Sequence, residues 1–187
     1  MQFIIFAITY PIIWMLSRLP MSVLYVLSDF YYFLIYYVFG YRKQVVLDNL
    51  KLAFPERPEK ELFQIRKKFF KHLMDLMVES IKSFSISEKE ILKRYTYTNP
   101  ELVNKYAKDG KSIALLGAHQ SNWEWSISLP KVLNIDIYGA YTKLNNTYYE
   151  KAVRDSRQQF GVIGYKTSEM VRGMQKRFLE KKQGLYL

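Results

Sequence analysis

The chain has 187 residues, enough for one domain with a real core or for a small domain plus a membrane segment. It has no cysteine and two histidines, His72 and His119, which excludes a disulfide framework, a thiolate zinc site and a cysteine nucleophile and argues against a multi-histidine metal site. Lys and Arg number 28 against 17 Asp and Glu, a formal net charge of +11 that points to an anionic partner.

Residues 1–40 carry only Arg18 and Asp29 as charged side chains. An apolar front on a basic body favours a membrane surface over nucleic acid, and no RNP-like or zinc-finger pattern is present. Two apolar runs fill this segment, residues 3–16, interrupted by Pro11, and residues 23–39. Each is shorter than the ~20 residues that span a bilayer comfortably. A signal peptide fits poorly, because there is no basic n-region and no small-residue cleavage pattern. Buried core helices would give similar runs, but the Tyr and Trp content and the "GYRK" flank favour a membrane-anchoring segment. The positive residues after Gly40 put the body on the cytoplasmic side.

Residues 41–94 read as a helical, membrane-proximal region. Val45, Val46, Leu47, Leu50 and Leu52 suggest a short amphipathic helix, ended by "FPERP" because each residue before a proline is pushed out of the α region. Pro58 suits the first turn of a second helix, along which Leu62, Ile65, Phe69, Leu73, Leu76, Met77 and Ile81 predict the buried stripe. His72, among Lys68, Lys71 and Asp75, reads as a surface histidine. "SEKE" from Ser87 is a capping box that opens a short helix to Arg94.

Residues 95–187 alternate strand and helix. "YTYT" alternates like a strand, and Asn99, Pro100 and Gly110 start and stop a helix. "SIALLG" reads as a buried strand, and "NWEWSISLPKVL" as a helix limited by Pro130. "IDIYGAY" and "VIGYK" are strands around a helix capped near Asn146 and stopped by Gly161. The last helix runs from Ser168 to Gly184, and "LYL" begins another strand. This order predicts an α/β fold class: N-terminal membrane-associated helices, then a layered α/β domain with a mostly parallel sheet. A buried strand rarely ends a domain, so the sheet is expected to be incomplete and the chain a fragment of a longer protein.

The stretch "GAHQSNWEW", residues 117–125, follows "SIALLG" at the strand edge where open α/β sheets bind ligands. Glu124, in the first turn of the next helix, is placed to turn back and accept from one imidazole nitrogen of His119. The other nitrogen is then free to take a proton from a substrate hydroxyl. Spacing alone is a weak signal: Asn122 also suits an ordinary cap, and Trp123 and Trp125 suit a core.

The same stretch resembles the His-x-x-x-x-Asp/Glu motif of the lysophospholipid acyltransferase superfamily, in the His-x-x-Asn-Trp-Glu form of the bacterial lipid A biosynthesis lauroyl/myristoyl acyltransferases. "YRKQVVLDNLKLAFPE", "MDLMVESIKSF" and "YTKLNNTYYEKAVRDSRQQFG" are similar to further segments of that family in the same order, so the resemblance covers essentially the whole chain. It implies an acyltransferase-like domain at the bacterial inner membrane. A fatty acyl group would pass from an acyl carrier protein thioester to a hydroxyl of a lipid A precursor, with no cofactor and no metal. His119 is then the general base, and Glu124 holds its tautomer and stabilises the imidazolium. Asn122 donates to the oxyanion or fixes the loop, and Arg157, assisted by Arg154, binds a substrate phosphate. For both arginines a solvated basic helix face is the competing reading. The family's further Asp-Gln block, just beyond the strand that begins at "LYL", is absent from this sequence, so the activity described is expected of the longer parent protein and this chain alone is expected to be inactive. The nearest alternatives are a lysophospholipid or other glycolipid acyltransferase and a non-catalytic membrane-surface protein. A hydrolase would be expected to carry a Gly-x-Ser-x-Gly elbow, which is missing.

Overall fold

The computed structural model describes residues 1–187, which fall into two compact units, one of Arg18–Lys82 and one of Met1–Ser17 with Ser83–Leu187.

The first unit is helical. It holds α2 (Met21–Phe33), which runs on through a π-helical turn (Leu34–Val38), then α3 (Lys43–Ala53) and the long α4 (Glu59–Lys82). The α3 helix and the break at "FPERP" lie where expected. The stretch Met21–Val38 is 18 residues long with a mean hydropathy of 1.4, long and apolar enough to cross a membrane by those measures alone. One side of α2 is tied to α4: Ser28 donates to Asp75 at 2.6 Å, and Tyr25 donates to Glu79 at 2.7 Å. Beyond them Tyr36 meets Phe70, ring centroids 5.5 Å apart. These contacts set the rotation of α4. Its buried line is Leu62, Phe70, Met74 and Val78, and of the predicted stripe only Leu62 is buried, with Phe69 and Met77 exposed. Several apolar lines run along this helix, and packing against α2 selects the one that is buried. His72 lies on the surface.

The second unit is α/β. The α1 helix (Gln2–Arg18, its last residue in the other unit) continues through Pro11. It is followed by α5 (Glu88–Arg94), α6 (Pro100–Lys108), β1 (Ile113–Ala114), a 3₁₀ helix (Trp123–Lys131), β2 (Ile137–Tyr141), α7 (Thr147–Gln158), β3 (Ile163–Lys166), α8 (Thr167–Leu179) and β4 (Leu185–Tyr186). All strands are parallel, in the order β1-β4-β2-β3, so the last strand inserts at the centre. Ile137, Tyr138 and Leu185 form the core of the sheet, each at most 1% exposed.

Four local expectations are corrected. "YTYT" is not a strand, because the extended backbone at Tyr95 finds no ladder partner, and Tyr97 bonds Ser128 at 2.8 Å. "SIALLG" is not buried: β1 is an edge strand, and Leu116 is 96% exposed. "NWEWSISLPKVL" winds as a 3₁₀ helix, consistent with its serines, Trp and Ile, which lower helix propensity, and with Pro130, which lacks an N–H. The α8 helix starts at Thr167 and ends at Leu179, before a left-handed turn at Lys181 (φ 55°). Gly184, expected to stop α8, instead lies against the sheet, where a Cβ would stand 2.6 Å from the Tyr138 ring. Gly161, at φ 108°, does lie just past α7 as expected.

Candidate active site

Past Ala114 the chain crosses residues 115–120 without regular structure, turns at Ser121 with φ 54°, and enters the 3₁₀ helix at Trp123. A side chain with a Cβ rarely takes that left-handed conformation. The turn leaves His119 exposed at the end of β1 and sets the Trp123 indole beside it. The ring centroids are 4.3 Å apart, with the planes inclined at 55°.

The 3₁₀ helix is fixed from behind. Trp125, 3% exposed, donates its indole N–H to Ser83 Oγ at 3.0 Å. The Ser83 carbonyl accepts from Ser156 at 3.0 Å and from Gln159 at 2.7 Å, both on or next to α7. This clamp brings Glu124 to Arg157. Arg157 Nε donates to Oε2 at 3.1 Å and Nη2 to Oε1 at 2.5 Å, a two-pronged fork. No hydrogen bond joins His119 to Glu124, whose two oxygens both accept from Arg157.

The α7 helix is started by Asn146, whose side chain accepts from the amides of Tyr148 at 3.0 Å and Tyr149 at 3.3 Å. The packing of α1 secures this end: Thr9 and Tyr149 share a hydroxyl bond, and Asn146 donates to the Gln2 carbonyl at 3.1 Å. One turn before Arg157, Arg154 donates to Glu150 at 3.4 Å. The Tyr141 phenol, by hydrogen bonding, and to a smaller degree the Glu150 and Asp155 carboxylates raise the pKa of Arg154. Glu150 is buried, so its charge needs this partner.

His119, Glu124, Arg154 and Arg157 border one cavity of about 610 Å³, together with Trp123, Tyr141 and Glu150. Its walls come from the end of β1, the 3₁₀ helix, β2, α7 and β3, and Leu115, Ile127, Leu129, Val153 and Val162 make them largely apolar. That volume falls in the range of small-molecule sites. Asn122 sits at the start of the 3₁₀ helix without a capping side-chain bond and is not part of the lining. Glu150 and Tyr141 were not anticipated. The legible signal was Glu150 four residues before Arg154 and seven before Arg157, which puts all three on one face of α7. No group of three or more His, Asp or Glu side chains comes together as a metal site. Chemically, the arrangement offers an exposed imidazole, two arginines balanced by carboxylates and an apolar chamber.

A family model described as bacterial lipid A biosynthesis acyltransferase matches residues 2–187. A search of curated proteins gives no significant match.

Proposed function

The chain belongs to the bacterial lipid A biosynthesis acyltransferase family, and from that premise we propose that it moves a fatty acyl group from an acyl carrier protein thioester to a hydroxyl of a lipid A precursor. The observation that carries this reading is His119, exposed at the end of a parallel strand on an apolar chamber beside the Glu124–Arg157 pair. His119 takes the acceptor hydroxyl proton as the oxygen attacks the thioester carbonyl. Collapse of the tetrahedral adduct breaks the C–S bond, and the imidazolium returns its proton to the leaving sulfur. Glu124 is engaged by Arg157, so its part is electrostatic: its negative charge borders the cavity in which the imidazolium forms. Arg157 and Arg154 turn the N–H donors not used on Glu124 and Glu150 toward an anionic acceptor, and the apolar walls take the acyl chain.

Membrane attachment belongs to the same proposal. Ile4, Ile8 and Met15 of α1 are more than 60% exposed, and Val26, Phe30 and Phe33 of α2 are more than 50% exposed. The charged helix α4 lies along the other side of α2. This favours α2 resting in the interface with its apolar side in lipid, since a spanning α2 would carry α4 with it. The basic body then faces the anionic cytoplasmic leaflet.

The test is transfer of a labelled acyl chain from its carrier thioester to competing acceptors. Label is expected on the lipid A precursor. Label on a lysophospholipid in preference would overturn the acceptor assignment, and equal use of a coenzyme A thioester would overturn the donor assignment.

A further inference from the structure

We propose that Trp123 is the positioning residue for His119, and that its indole face, rather than Glu124, holds the imidazole and receives it as it becomes charged. This rests on the reading of His119 as the base. Three observations carry it. His119 lies on a stretch without regular structure, and its ring contact is with Trp123, at 4.3 Å. Glu124 has both oxygens on Arg157 and is not bonded to the imidazole. The two tryptophans of "NWEW" have separate environments. Trp125 is buried and hydrogen-bonded to Ser83, whereas Trp123 is half-buried on the cavity wall.

The indole also touches the third member of the group, with Arg157 Cζ 5.7 Å from its ring. Trp123 thus joins the base to the Glu124–Arg157 pair. An aromatic face attracts a cation within about 6 Å, so the contact strengthens when His119 takes the proton. The other titratable and charged groups bordering this cavity are Glu124 on the 3₁₀ helix, Glu150, Arg154 and Arg157 on α7, and the phenols of Tyr95, Tyr97 and Tyr141. Both arginines are paired with carboxylates, which leaves the neutral indole as the group in ring contact with the imidazole.

The test is steady-state acyl transfer by Trp123→Leu, Trp123→Phe, His119→Ala and the Trp123→Leu/His119→Ala double variant. Trp123→Leu should lower kcat by about a hundredfold, as small misplacement of a reacting group does, with KM for donor and acceptor little changed. Trp123→Phe, which keeps a ring face, should recover most of that loss. In the His119→Ala background, Trp123→Leu should cost nothing more, because it acts through the histidine. The proposal is overturned by an unchanged kcat in Trp123→Leu, by a loss confined to KM, or by losses that multiply in the double variant. Full activity of His119→Ala would overturn both this inference and the base assignment, whereas loss in His119→Ala alone would overturn only the role of Trp123. If Trp123→Leu does not fold, the intact indole reports instead. Acidification should quench tryptophan emission more in the wild type than in His119→Ala, and superimposable titrations would overturn the contact.

Discussion

Arg157 is paired with Glu124 and is proposed to bind the acceptor as well, and a substitution there separates that proposal from a solvated helix face. Its fork holds both oxygens of Glu124, and hydrogen bonds to charged groups are worth roughly 1.5–3 kcal/mol. Arg157→Ala should therefore reduce acyl transfer by about ten- to a hundredfold, chiefly through the lipid acceptor, and Arg157→Lys should recover little because an ammonium cannot form the fork. The Glu124→Ala/Arg157→Ala double variant should be no worse than the poorer single variant. Unchanged acceptor kinetics in Arg157→Ala would return this residue to the solvated face. Gly184 makes a second residue-scale case. Its missing Cβ would stand 2.6 Å from Tyr138, which is 1% exposed and cannot easily yield. Gly184→Ala should cost about 1–3 kcal/mol by overpacking, read as a lower Tm, and an unchanged melt would show that the sheet relaxes there freely.

Among the elements, the 3₁₀ helix and its neighbours decide the geometry of the site. Burial pushes the Tyr97 phenol up to about 12, partly offset by its bond to Ser128 on that helix and reinforced by the nearby Tyr95. A folded-state value above the unfolded one means that the contribution of this phenol is complete below pH ~10 and is lost as pH rises toward 12. Urea midpoints should therefore fall across that interval, and Tyr97→Phe should flatten part of the fall. Tyr138, also raised to about 12, supplies another part. A Tyr97→Phe profile identical to wild type would contradict this. Legibility also divides at this scale. The capping residue Asn146, Pro100 at its helix start and Gly161 past α7 are local signals, and all three lie where the sequence put them. Burial at β1 and the rotation of α4 were misread because they depend on partners distant in sequence: an edge position in one case, Ser28 and Tyr25 on α2 in the other. The same limit governed the site. The grouping of His119, Glu124, Arg154 and Arg157 was readable from the motif and its resemblance, while the Glu124–Arg157 fork needed α7 folded back onto the 3₁₀ helix.

For the whole molecule, the exposed apolar sides of α1 and α2 and the net charge of +11 make binding to an anionic bilayer the expected behaviour. Ile8→Lys and Val26→Lys replace side chains that are 62% and 69% exposed. Since burying such a side chain is worth about 1.5–3 kcal/mol, each should weaken binding to vesicles with anionic lipid by roughly ten- to a hundredfold while the fold persists. Undiminished binding by both would locate the attachment elsewhere. The proposed mechanism turns on one chemical event, proton removal from an acceptor hydroxyl by His119. The most direct test is transfer of a labelled acyl chain from the carrier thioester to the lipid A precursor by a folded His119→Asn variant. Asparagine keeps polarity and hydrogen bonding but cannot accept the proton, and general-base assistance is typically worth about a hundred- to ten-thousand-fold. The account predicts a loss of at least about a hundredfold; near-normal transfer by His119→Asn would contradict it.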